Sequence, residues 1–270
     1  MIRNVLSIAG SDPSGGAGIQ ADLKAFSARG VYGMAALTAL TAQNTQGVSG
    51  VHPVPPQFVA EQIKAIFADV RVDAVKIGMI ANAAIAEAVA DALAPHRGVP
   101  IVLDPVMIAK GGAALLAADA VDVLTSRLLP LATVLTPNLP EAAALLHEPV
   151  AETRQTMARQ AEALAKLGPL AVLVKGGHLA GDRSPDVLAS PEGLTWFEAS
   201  RVPTKNTHGT GCTLSSALAA EIAKGSALTD AVTIAKHYLA GAVAAAGTLS
   251  VGTGHGPVQH FYELWPHRKG

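Results

Sequence analysis

The sequence predicts an α/β fold of three layers, with helices on both faces of a mostly parallel central sheet. Two observations carry that expectation. Short apolar runs alternate with helical stripes almost from end to end, and each run stops at or beside Gly, Asp-Pro or Pro, as buried parallel strands do. The alanine-rich helical segments also suit close packing of helix on sheet.

Taken in order, the strand-like runs are Val5–Ala9, Ala74–Ile77, Ile101–Leu103, Thr133–Leu135 and Ala171–Val174. Between them lie stripes at helical spacing. Val59, Ile63, Phe67 and Val70 form one, and Met157, Ala161, Leu164 and Leu167 a second. Leu228, Val232, Ala235, Leu239 and Val243 form a third. Pro185–Ser200 alternates around Glu192-Gly193 and carries Trp196 and Phe197, which predicts a hairpin. No composition shift or repeat divides the chain, so a single domain over residues 1–270 is expected.

Composition narrows the function classes. The 270 residues carry 20 Lys+Arg against 21 Asp+Glu, a net charge of −1, and are 50% hydrophobic with a mean hydropathy of +0.34. An apolar chain with little charge has an ample core and is not disordered. Balanced charge without a basic run gives no footprint for nucleic acid or an anionic membrane. The one cysteine, Cys212, makes neither an internal disulfide nor a Cys-rich zinc site, and no signal-peptide pattern or spanning stretch is present. A cytoplasmic protein is expected.

In open α/β sheets ligands gather beyond the carboxyl ends of the strands, so residues just after each run matter most. Gly10–Gly18 (GSDPSGGAG) follows the first run and leads into a helix near Ile19. Its small residues and helix-start N–H groups suit an anion, or else form a plain surface loop. Gln43, in the polar island Thr41–Gly47, offers a donor and an acceptor to a heteroaromatic edge; a capped turn is the bland alternative. Asp104 and Glu141 end neighbouring runs and make a modest case for a divalent cation with phosphate ligands. Lys175, on a strand tip before two glycines, suits phosphate. His178 is given no role. A loop near Lys110-Gly111-Gly112 could close over a site or be an ordinary turn.

The sharpest segment is Asn206–Cys212 (NTHGTGC). Gly209 and Gly211 free backbone N–H groups at a helix start for charge on a transferring phosphoryl group. Cys212 falls in the first helical turn, where the dipole can lower its pKa from about 8.5 and make a thiolate available to take a hydroxyl proton; a small buried hydrophobe is the bland alternative, and the place just after Gly-Thr-Gly favours the thiolate. Neither a P-loop nor a G-x-G-x-x-G fingerprint occurs.

These segments, with Lys76–Met79 (KIGM), Leu103–Met107 (LDPVM), Thr136–Glu141 (TPNLPE), Lys175–His178 (KGGH) and Gly252–Phe261 (GTGHGPVQHF), resemble the hydroxymethylpyrimidine/phosphomethylpyrimidine kinases of thiamine biosynthesis, a branch of the ribokinase superfamily. The resemblance spans Asn4 to Pro266 in order. It implies a ribokinase-like fold and an ATP:Mg²⁺-dependent kinase. Its substrate would be 4-amino-5-hydroxymethyl-2-methylpyrimidine and then the monophosphate. It further implies that Gln43 bonds the pyrimidine, with Gly10, Asp22, Met79 and Val106 lining the pocket. Cys212 would be the general base, and Gly209, Thr210 and Gly211 the anion hole. Lys236 would neutralise phosphate, Asp104 and Glu141 would organise Mg²⁺, and Asn138, Lys175 and Thr207 would face ATP. A homodimer is expected on the same ground. Two alternatives stay open: a pyridoxal kinase of the same superfamily, and a non-catalytic pyrimidine-binding regulator.

Overall fold

A computed structural model describes residues 1–107 and 118–265. The Lys110-Gly111-Gly112 loop expectation lies outside the described residues. Eight strands form one sheet: β1 (Asn4–Ala9), β2 (Tyr32–Leu37), β5 (Ala74–Ile77), β6 (Ile101–Leu103), β7 (Val134–Leu135), β8 (Ala171–Lys175), β9 (Asp186–Ser190) and β10 (Gly193–Phe197). Their spatial order is β10-β9-β8-β7-β6-β5-β1-β2. The six strands from β2 to β8 run parallel, and β9 and β10 add an antiparallel edge. All five strand expectations and the hairpin are therefore present.

The two-residue period of each strand sorts its side chains into two cores. Leu6, Ile8, Val75, Ile77, Leu103, Leu135, Val172 and Val174 face one. That side is covered by α2 (Pro56–Asp69), α3 (Ala83–Leu93), α5 (Leu139–Leu146) and α6 (Arg154–Ala165). Val5, Ala74, Val102, Val134 and Leu173 face the other, beneath α1 (Gly18–Ala28), α7 (Thr210–Ala223) and α8 (Leu228–Ala244). A short helix, α4 (Ala118–Val123), packs near α3. The three striped helices occur as expected. Val70 and Leu167 fall just past the ends of α2 and α6, where the chain leaves the helix.

A separate two-stranded ribbon differs from expectation. β3 (Ala39–Asn44) pairs antiparallel with β4 (Gly47–Pro53), with an irregularity between Ala42 and Gln43. The polar island is therefore mostly strand. Its exposed, mixed sequence carries no apolar alternation because the ribbon is solvated rather than laid on the core.

Beyond α8 the chain turns back under that helix. Tyr238 donates its hydroxyl to the His260 carbonyl oxygen at 2.8 Å, and His260 Nε2 lies 3.0 Å from Thr213 Oγ1 on α7. Burial, with a small contribution from Lys24, pushes the His260 imidazole down to about 4. The folded chain then binds fewer protons than the unfolded chain between its ordinary 6.5 and about 4. Stability is full above pH 6.5 and falls as pH drops through that window, by on the order of 3 kcal/mol. Urea denaturation at pH 7 and pH 4.5 should show this loss. His260→Gln should flatten that part of the profile, and an unchanged slope in the variant would count against the assignment.

Candidate active site

The carboxyl ends of β1, β5, β6, β7 and β8 open onto one cavity of about 440 Å³, within the range of small-molecule sites. Its floor includes Gly10, Lys76, Asp104, Asn138 and Lys175, and Gly209–Cys212 at the start of α7 closes one side. Gln43 reaches it from the β3–β4 ribbon, and Met79, Val106 and Met107 supply apolar wall. Glu141 and Thr207 line it as well.

Close backbone approach builds the α7 end. Gly209 caps the helix at φ 77°, and a Cβ there would meet the Gly16 carbonyl oxygen at 1.8 Å. Only glycine lets the two loops touch. The first-turn N–H groups of α7 have no carbonyl four residues back within the helix; Thr210 N–H makes only a long 3.5 Å bond to the Thr207 carbonyl oxygen, and those of Gly211 and Cys212 remain available to an anion.

The glycine loop after β1 behaves differently from expectation. Its N–H groups are taken by its own carboxylate. Asp12 accepts from the Ser14 N–H (2.9 Å) and hydroxyl (2.7 Å) at Oδ1, and from the N–H groups of Gly16 (3.1 Å) and Ala17 (2.8 Å) at Oδ2. His208 Nε2 lies 2.7 Å from the same Oδ2. Burial opposes the charge, but these bonds outweigh it and hold the Asp12 carboxyl at about 2. The loop carries an internal anion in place of a ligand's, and His208 ties it to the α7 loop.

One side of the cavity holds two carboxylates and a lysine. Lys175 Nζ is 2.8 Å from Asp104 Oδ1. Asn138 and Glu141 form a reciprocal cap on α5. Asn138 Oδ1 accepts the Glu141 N–H at 2.9 Å and Glu141 Oε2 accepts the Asn138 N–H at 2.8 Å. Burial pushes the Glu141 carboxyl up; Lys175 opposes this and Asp104 adds to it, leaving it at about 7. Carboxylate charge thus exceeds what Lys175 neutralises, a donor set that fits a hard divalent cation completed by phosphate and water oxygens. Among the described residues, no cluster of three or more His, Cys, Asp or Glu side chains could hold a metal by itself.

Three expectations need correction. Asp22 does not line the cavity; it lies fully buried beneath it. Its carboxylate accepts from Ser7 (2.6 Å), Ser216 (2.7 Å) and Lys76 Nζ (2.9 and 3.0 Å). Lys236 does not reach the cavity either. Its Nζ lies 2.5 Å from Asp186 Oδ2 and donates to the Ser184 carbonyl at 2.8 Å, because α8 faces β9 at that point. Asp186 in turn accepts the Gly176 N–H at 3.0 Å, so Lys236 acts on the turn after Lys175 from behind. Finally, burial pushes the Cys212 thiol up, to about 11. Lys76 and the Gly18 N–H pull it down, Asp22 and Asp104 push it up, and desolvation prevails over any gain from the helix dipole.

The sequence reading missed Lys76 as a site cation, along with Asp12 and His208. Lys76 shares the face of Ala74, two residues before it on β5, and so points at the α1–α7 layer, a placement legible from the two-residue period alone. Burial works against its charge, but Asp22 holds the ammonium above its ordinary value.

The profile of the family described as phosphomethylpyrimidine kinase matches residues 12–259. The chain belongs to that family. The hydroxymethylpyrimidine/phosphomethylpyrimidine kinase of Escherichia coli (strain K12) is 55% identical over 262 residues, covering 97% of this chain and 98% of the relative. The phosphomethylpyrimidine kinase of Clostridium difficile 630 superposes with a TM-score of 0.78 at 42% identity, covering 88% of this chain and 97% of that one. Staphylococcus aureus pyridoxal kinase in complex with AMP-PCP and pyridoxal gives 0.88 at 31%, over 98% and 95% of the two chains. The fold of this family member is ribokinase-like, as expected. Among its described residues no helix is long and apolar enough to cross a membrane.

The Asp22–Lys76 pair gives the testable consequence. Asp22→Ala leaves an uncompensated buried ammonium and should cost about 3–5 kcal/mol in urea denaturation. The double variant Asp22→Leu with Lys76→Met should recover most of that loss. Equal destabilisation of the single and double variants would show that the charge pairing is not what matters there.

Proposed function

We propose that this chain transfers the γ-phosphoryl group of ATP to the hydroxymethyl oxygen of 4-amino-5-hydroxymethyl-2-methylpyrimidine, and then phosphorylates the monophosphate to the diphosphate, in thiamine biosynthesis. The observation that carries the reading is the single cavity that joins Gln43 and an apolar wall, the Gly209–Cys212 turn, and the Asp104–Glu141–Lys175 group. The names of the relatives support it.

In this mechanism Gln43 bonds the ring edge while Gly10, Met79 and Val106 enclose it. The hydroxymethyl oxygen attacks the γ-phosphorus, the bond to the ADP oxygen breaks, and the hydroxyl proton passes to the Cys212 sulfur. Backbone N–H groups of Gly209, Thr210 and Gly211 receive the equatorial charge. Asn138, Lys175 and Thr207 face the nucleotide. Asp104 and Glu141 are the residues that would hold Mg²⁺, whose chemistry is neutralisation of phosphate oxygens. Lys236 serves as a positioning residue through Asp186. Phosphoryl transfer depends mainly on positioning and charge, so a weakly ionised base suffices.

We extend the proposal to a cytoplasmic homodimer, supported by exposed Tyr32 on the edge strand and Leu40 and Val51 on the ribbon as apolar surface for a second copy. A pyridoxal kinase is the second reading, favoured by the superposition on the Staphylococcus aureus enzyme. Apolar contacts separate heteroaromatic alcohols of similar size by only about 1–3 kcal/mol per group.

Mass-resolved products from ATP, Mg²⁺ and the hydroxymethylpyrimidine, with pyridoxal in parallel, decide between these. Mono- and then diphosphate of the pyrimidine is the expected result. Transfer mainly to pyridoxal moves the substrate, and nucleotide binding without transfer to either leaves a regulator.

Cys212→Ala should lower kcat by about 10²- to 10⁴-fold with ATP affinity kept. Because the thiol ionises at about 11, wild-type kcat/KM should climb about tenfold per pH unit from pH 7 to 9. The variant's profile should be flat. A level wild-type profile would remove Cys212 as the base.

A further inference from the structure

Gln43 lies between two partners whose own bonds decide which way its amide points. Gln43 Oε1 is placed 3.2 Å from Thr41 Oγ1 and Gln43 Nε2 3.4 Å from His208 Nε2, and the hydrogen-bond partners decide which end of the amide is which. Thr41 has a single hydroxyl proton, and its shorter bond, 2.8 Å to the Ser11 carbonyl oxygen, takes it. Toward Gln43 the hydroxyl is then an acceptor, so the amide atom beside it is the N–H donor. On the other side, His208 Nε2 is 2.7 Å from Asp12 Oδ2. A carboxylate only accepts, so Nε2 carries the proton and can reach Gln43 only as a shared donor. The amide atom beside His208 is therefore the carbonyl oxygen. The placed orientation sets the NH₂ against an N–H and the oxygen against a spent hydroxyl, with neither bond made, so the bonding network calls for the amide turned by 180°.

We propose that His208, held by Asp12, and Thr41, held by Ser11, are positioning residues that lock the Gln43 amide in one polarity and so determine ring specificity. Into the cavity the amide presents its carbonyl on the His208 side and its N–H on the Thr41 side. The hydroxymethyl group must reach Cys212, which fixes the ring's orientation. A 4-aminopyrimidine sets an amino donor beside a ring-nitrogen acceptor and satisfies both groups. The 4-oxo counterpart sets an acceptor beside an N–H donor and satisfies neither. Asp12 can do this because it remains ionised, with its other lone pairs on Ser14, Gly16 and Ala17. The ring-specificity part of this inference rests on the pyrimidine reading above; the amide polarity itself does not.

Two measurements test the two parts separately. Long-range ¹H–¹⁵N spectra of protein labelled with ¹⁵N-histidine, assigned against His208→Gln, should show a proton on His208 Nε2. A bare Nε2 overturns the polarity assignment whatever the substrate. Calorimetric titration with 5-hydroxymethyl-2-methylpyrimidines bearing 4-amino or 4-oxo should show the wild type favouring the amino ring by about a hundredfold or more. Thr41→Val and His208→Ala should each cut that ratio by about tenfold, with KM for ATP unchanged in Thr41→Val, and Thr41→Ser should preserve the ratio. A merely structural role would lower melting temperature and kcat and leave the ratio alone, and that result overturns the proposal. If His208→Ala does not fold, the Thr41→Val and Thr41→Ser pair decides. If the wild type binds neither ring, the pyrimidine reading and the ring-specificity claim fall together, and the Nε2 result still judges the amide.

Discussion

One carboxylate, Asp22, organises the floor of the site. It sits where β1, β5, α1 and α7 meet, and it takes a bond from each of the other three through Ser7, Lys76 and Ser216. A fully buried ion pair does not by itself make a fold more stable, since desolvation offsets its attraction. Its effect is geometric. The four elements can come together in only one register that satisfies all these bonds, and that register sets Lys76 within electrostatic reach of Cys212 and Asp104. The turn at the start of α7 therefore rests on a charge that lies outside the cavity.

A second buried carboxylate does the same for the loops above. Asp12 gathers the glycine loop around itself, and through His208 it holds the loop before α7 against it. The two backbones then approach so closely at Gly16 and Gly209 that no side chain fits between them. Loops are ordinarily the mobile part of an α/β enzyme. Here the glycine loop and the loop before α7 are joined by a side-chain hydrogen bond and a backbone contact, so the start of α7 is oriented before any ligand arrives. Such preorganisation is what electrostatic stabilisation of a phosphoryl group requires. At the other end of the cavity, Lys236 and Asp186 support the turn after Lys175 in a similar way from outside it.

The chain's own sequence determined the layered architecture. Short apolar strands, their terminators and the striped helices are local signals, and the structure contains each of them. The residues that follow the strands converge on one cavity for the same local reason: parallel strands of one sheet end on one edge, so Gly10, Asp104, Asn138 and Lys175 must meet there. Tertiary structure decided what each group does once it is there. The β3–β4 ribbon lies on no core face and leaves no apolar period to read. Asp22 and Lys236 carry the residue types of a site, yet lie behind it, because helix rotation and the pairing of Lys236 on α8 with Asp186 on β9 are set by contacts from far along the chain. The Cys212 thiol has the sequence position that should make it acidic. Burial among Asp22, Lys76 and Asp104 raises it instead, since desolvation depends on what the whole fold packs around an atom and no local sequence signal encodes that.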